Sequence, residues 1–65
     1  MQYLLRRESK EGTCTVYKGT MAEVTEWVTD VVKRNKYTCT VLTDLNMLPV
    51  WSCEDRVFFI RKAGS

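Results

Sequence analysis

The chain predicts an α+β domain, with one helix packed on one face of a mainly antiparallel sheet. Three observations lead there. A capping signal opens a stretch with helical apolar spacing. Alternating segments precede and follow it in the order ββαββ. With 65 residues the chain is near the lower size limit for independent folding, where a core holds one helix against one sheet and little else.

The first strand is expected over residues 2–7. A polar turn, Glu8-Ser9-Lys10-Glu11-Gly12, follows, and Gly12 suits a positive φ. The next strand, residues 13–18, alternates with Cys14 and Val16 on one face and Thr13, Thr15 and Tyr17 on the other. Together these read as a hairpin. Thr20 and Glu23 then have capping-box spacing. From Met21 onward, Val24, Trp27, Val28 and Val31 recur at helical intervals, giving a helix over residues 21–34. Glu23 and Glu26 lie early and Lys33 and Arg34 late, as the helix dipole favours, and Asn35 is the expected left-handed stop. The helix is rich in Val and Thr, so it depends on docking rather than on intrinsic propensity. Two further strands follow, residues 37–42 and 56–62.

The tetrapeptide Thr-Cys-Thr-Val occurs twice, at residues 13–16 and 38–41. It reads as two strands meeting the same packing demand, with Cys and Val toward the helix and the threonines away. Three cysteines without a C-x-x-C pair make a poor disulfide framework, so three free thiols are expected. A Cys14–Cys39 bridge would require adjacent strands with Cα atoms within about 7 Å.

Composition excludes several functions. A hydrophobic fraction of 45% and a charged fraction of 28% are those of a globular domain. No apolar run approaches the ~20 residues of a membrane-spanning helix, and charge appears too early for a signal peptide, so a cytoplasmic location is expected. The alternative is a secreted protein whose signal has been removed, with one bridge and one free thiol. The net charge of +2 is well short of an obligate nucleic-acid binder's. Histidine is absent, removing the commonest general acid–base. No phosphate loop or nucleophile motif appears. Cys53 has Glu54 and Asp55 beside it, the wrong neighbours for a thiolate. Cysteines 25 and 14 residues apart match no zinc pattern. No enzyme activity, cofactor or metal is expected.

Two surfaces remain as candidates. A single helix leaves one sheet face open, and that face is expected to carry Thr13 together with Thr15, Tyr17, Thr38 and Thr40. The last strand adds one of its adjacent phenylalanines, and Phe59 and Arg61 are assigned there. Threonines, aromatics and flanking cations form a binding platform, against the plainer reading of a solvated sheet face. The second candidate is the long connection of residues 43–54, where Leu45, Met47, Leu48 and Trp51 would form an exposed protein-binding patch. The competing arrangement is a turn capped by Asp44 and ended by Pro49, then a short strand closing the core, which the scarcity of apolar residues favours.

The expected function is therefore a non-enzymatic interaction module, a small regulator, adaptor or inhibitor of a larger protein. A homodimer through an edge strand is the cheapest alternative contact. Small domains of this outline are common among phage and mobile-element proteins, which is analogy at the level of fold. The runner-up is single-stranded nucleic-acid or RNA binding, with Tyr17 and a phenylalanine stacking bases. The segment DRVFFIRK lacks the Lys/Arg-Gly-aromatic start of an RRM strand.

Overall fold

A computed structural model describes residues 1–64. It contains strands β1 (Tyr3–Ser9) and β2 (Gly12–Gly19), helix α1 (Met21–Asn35), and strands β3 (Cys39–Thr43), β4 (Pro49–Cys53) and β5 (Val57–Lys62). The strands form one sheet in the order β2-β1-β5-β4-β3, with every neighbouring pair antiparallel. The α+β class and the single covering helix are as expected. The fifth strand, β4, extends the four-strand ββαββ order and is the short strand expected after Pro49 if the connection folds as a capped turn.

The β1–β2 turn is tight, with Ser9 opposite Gly12 and Gly12 at φ 113, where a Cβ would be strained. Further along, Leu5 pairs with Tyr17 but Arg6 pairs with Thr15, so Val16 is an extra residue in β2. This bulge resets the alternation. Tyr17 therefore lies on the helix side, where its ring stacks on Trp27 with centroids 5.4 Å apart. Its assignment to the open face is corrected accordingly.

Helix α1 begins as its sequence dictates. The Thr20 hydroxyl accepts from the Glu23 N–H at 3.2 Å, and Glu23 Oε1 accepts from the Thr20 N–H at 2.9 Å. That bond, with the Thr20 hydroxyl contributing, holds the Glu23 carboxyl below its ordinary pKa. At the far end the left-handed residue is Lys36, at φ 56, one position beyond the expected Asn35. Its N–H reaches Val32 and Lys33 carbonyls. Val24 and Val28 face Leu5, Trp51, Phe58 and Ile60 to make the core. Each such side chain contributes roughly 1.5–3 kcal/mol by leaving water.

The chain runs through α1 from β2 at one edge to β3 at the other. The two Thr-Cys-Thr-Val segments are thus separated by three strands. At about 4.8 Å per strand spacing, Cys14 and Cys39 are far beyond disulfide range. Cys39 instead bonds Cys53, directly opposite it in the β3–β4 pair, with Cα atoms 4.0 Å apart and a sequence separation of 14. Cys14 is free and exposed. The expectation of three thiols is corrected: position in the sheet, not local sequence, chose the partner.

Candidate functional site

Among the described residues, β3 and the β3–β4 tip carry four of the five large exposed apolar side chains. Asp44 organises the tip. Asp44 Oδ1 accepts from the N–H groups of Asn46 at 2.8 Å and Leu48 at 2.9 Å. The Asp44 N–H donates to the Leu48 carbonyl at 2.9 Å, and the Met47 N–H donates to the Asp44 carbonyl at 3.1 Å. Met47 is forced to φ 64, a left-handed conformation that favours Gly or Asn. Pro49 opens β4 opposite Thr43, the first strand position, where its missing N–H is tolerated.

The four residues expected to form an exposed patch here divide between inside and outside. Trp51 pairs with Phe58 and Val41 and is buried at 6% exposure. Leu48 is half-buried against the core. Leu45 and Met47 are exposed, at 102% and 81%. The patch reading is thus corrected for Trp51 and Leu48, which the core takes up. Among the described residues the large exposed apolar side chains are Met1, Val41, Leu42, Leu45 and Met47. All but Met1 lie in β3 and the tip that follows it. An open groove lined by Tyr3, Asn46, Leu48, Ile60, Arg61 and Lys62 borders this tip.

The uncovered sheet face is more apolar than a threonine platform. Register places Thr15, Arg6, Phe59, Val50 and Leu42 in one row across all five strands. A neighbouring row carries Thr13, Glu8, Val57, Ser52 and Thr40. Lys18, Leu4 and Arg61 follow on the other side. Phe59 is the phenylalanine on this face, while Phe58 is buried beneath the helix. Thr15, Thr40 and Arg61 also take their expected places, and Arg6 Nη1 donates to Thr15 Oγ1 at 2.7 Å. Thr38 precedes β3 in an exposed connection, outside the sheet. Leu42 shares the face of Thr40, as strand alternation expects, whereas Leu4, Val50 and Val57 join it only through the register of β1, β4 and β5.

The start of β3 is tied down from the opposite side of the hairpin. Arg56 Nη1 donates to the Tyr37 hydroxyl at 2.8 Å, and its guanidinium carbon lies 4.4 Å from the Tyr37 ring centroid. Arg56 also pairs with Asp55 at 3.1 Å. The hydrogen bond from Arg56 holds the Asp55 carboxyl below its usual range. Among the described residues no three His, Cys, Asp or Glu side chains gather as a metal site, and no helix is long and apolar enough to cross a membrane. No protein-family description, curated protein or solved structure matches this chain.

Proposed function

We propose that the protein is a non-enzymatic interaction module, a regulator, adaptor or inhibitor that docks on a larger protein through the β3–β4 hairpin tip. One observation carries this reading. Leu45 and Met47 stand in solvent on a loop that Asp44 holds rigid, and Met47 does so in a backbone conformation that disfavours its own side chain. Strain retained at an exposed apolar residue points to a use outside the fold. Anchors of this kind lose little entropy on binding, because the loop is already ordered. The adjoining cations Arg61 and Lys62 favour a partner whose pocket is apolar with an acidic rim.

The nucleic-acid alternative is weakened by the inward turn of Tyr17, which leaves Phe59 as the aromatic on the open face. The expected cytoplasmic setting stands against the Cys39–Cys53 bridge, since such bridges persist mainly in oxidising compartments. A thiol count on protein taken directly from its source cells decides between them.

The functional test uses immobilised protein and source-cell lysate. Wild type is expected to retain a stoichiometric protein partner that Leu45→Ser and Met47→Asn both lose while their unfolding midpoints fall no lower than wild type. Equal retention by both variants would rule out docking at the tip. Micromolar RNA or single-stranded DNA binding that weakens steeply with salt and disappears in Arg6→Ala would support the alternative.

A further inference from the structure

The sheet has two free edges, and they are protected very differently. Edge strand β2 carries the Val16 bulge and Lys18, both devices that discourage further pairing. Edge strand β3, Cys39-Thr40-Val41-Leu42-Thr43, has neither. It pairs with β4 without a register break, and it contains no charge, proline or glycine. Its apolar side chains are exposed on both faces, Val41 at 61% and Leu42 at 53%. The helix makes its main contacts with β1 and β2, toward the other edge, and leaves Val41 exposed.

The direction of the free backbone groups follows from three facts. Cys39 and Cys53 have Cα atoms 4.0 Å apart, the close spacing of a pair that does not exchange backbone hydrogen bonds. Thr43 stands opposite Pro49, which has no N–H to offer. The Cys53 N–H donates away from β3, to the Arg56 carbonyl. Bonding alternates along an antiparallel pair. Thr40 and Leu42 therefore bond β4, while the N–H and C=O groups of Cys39, Val41 and Thr43 point off the edge.

We propose that this edge pairs with the same strand of a second copy, antiparallel about a two-fold axis at Val41. Val41 then meets its own copy, and each Cys39 meets a Thr43. Three residue pairs each exchange two backbone bonds, about six in all, so every outward group of the strand is used. Thr40 meets Leu42 on the open face, and the two Leu42 side chains become diagonal neighbours. The first charged residues flanking the strand are Lys36 and Asp44. The two-fold brings the Lys36 end of one copy toward the Asp44 end of the other, so opposite signs approach and like signs do not. The apolar row through Phe59, Val50 and Leu42 then runs on into its symmetry mate across a sheet of ten strands.

Sedimentation equilibrium of the oxidised protein, from low micromolar to submillimolar concentration, tests this together with amide exchange. Wild type is expected to pass from monomer to dimer. Val41→Lys, which places two ammonium groups face to face at an exposed position, should weaken the dimer on the order of tenfold or more. Its monomer should unfold at the wild-type midpoint. Val41→Pro removes an N–H that the monomer does not use and should act alike. Amides of Cys39, Val41 and Thr43 should gain protection with concentration, whereas those of Thr40 and Leu42 should be protected throughout. A wild type that stays monomeric, or a dimer whose Val41 amide exchanges freely, overturns the proposal. Both readouts are independent of partner capture at Leu45 and Met47.

Discussion

Replacing Cys39 and Cys53 together by serine is the sharpest perturbation of this fold. The bridge closes a loop with a sequence separation of 14. For a loop of about 15 residues, the chain-entropy model gives roughly 3 kcal/mol of stabilisation by restricting the unfolded chain. A domain of this length has a total stability of roughly 3–10 kcal/mol. The bridge therefore accounts for about a third of it or more. At about 4–8 °C per kcal/mol for a small domain, the double variant should melt roughly 12–24 °C below the oxidised wild type. Urea titration followed by tryptophan fluorescence measures the loss directly, because Trp51 is buried at 6% exposure and Trp27 is stacked on Tyr17, and both become solvated on unfolding. Reduction of the wild type should bring it toward the variant. A thiol titration of denatured, unreduced protein should find only Cys14 reactive. Three reactive thiols would show that Cys39 and Cys53 are not bridged. A double variant within about 0.5 kcal/mol of wild type would show that loop closure does not stabilise this fold.

Three further outcomes follow from the packing and the caps. Trp51→Ala should cost about 3–5 kcal/mol and leave much of the population unfolded, whereas Met47→Asn, which puts a residue suited to φ 64 at that position, should be more stable than wild type by about 1 kcal/mol; circular dichroism melts compare the two. Thr20→Ala should cost about 1 kcal/mol by leaving helix N–H groups without their acceptor, read as a fall in urea midpoint with an unchanged slope. The Glu23 and Asp55 carboxyls both have lowered folded-state pKa values, Glu23 through the Thr20 N–H and Asp55 through Arg56. Their contribution is therefore present above the ordinary carboxylate pKa and is lost as pH falls through the lower folded values. Melting temperature should drop over that acidic interval, and Glu23→Gln should flatten the drop.

Much of this fold was legible wherever the signal was local. The Thr20–Glu23 box reads from a three-residue spacing, and both of its hydrogen bonds form. The first hairpin reads from Gly12 and the alternation around it. What escaped depends on contacts distant in sequence. The Val16 bulge follows from the register of β1 against β2, and it reverses the face of Tyr17. Strand β4, by contrast, reads from the turn that Asp44 caps and Pro49 ends, with a short strand after it, and both the cap and the strand form. A hairpin centred on Asn46 would have put Cys39 opposite Cys53, whereas the repeated tetrapeptide directed attention to Cys14. The candidate surface was half legible. Leu45 and Met47 were named correctly as exposed, but amphipathic sequence alone does not say which members of an apolar run fill a small core.

The place of β5 bears on how this chain is made. β1 and β2 form one hairpin, β3 and β4 form another, and β5 is the strand that pairs with a member of each. It also follows the other four strands in chain order. Until it emerges, the nascent chain holds two separate ribbons with no hydrogen-bonded seam between them, and Phe58 and Ile60 are missing from the core. Folding then becomes one late, cooperative event that closes several long loops together, the kind of topology that folds slowly for its size. A chain ending at Arg56 should be protease-sensitive, and the same chain extended by the six residues of β5 should be resistant.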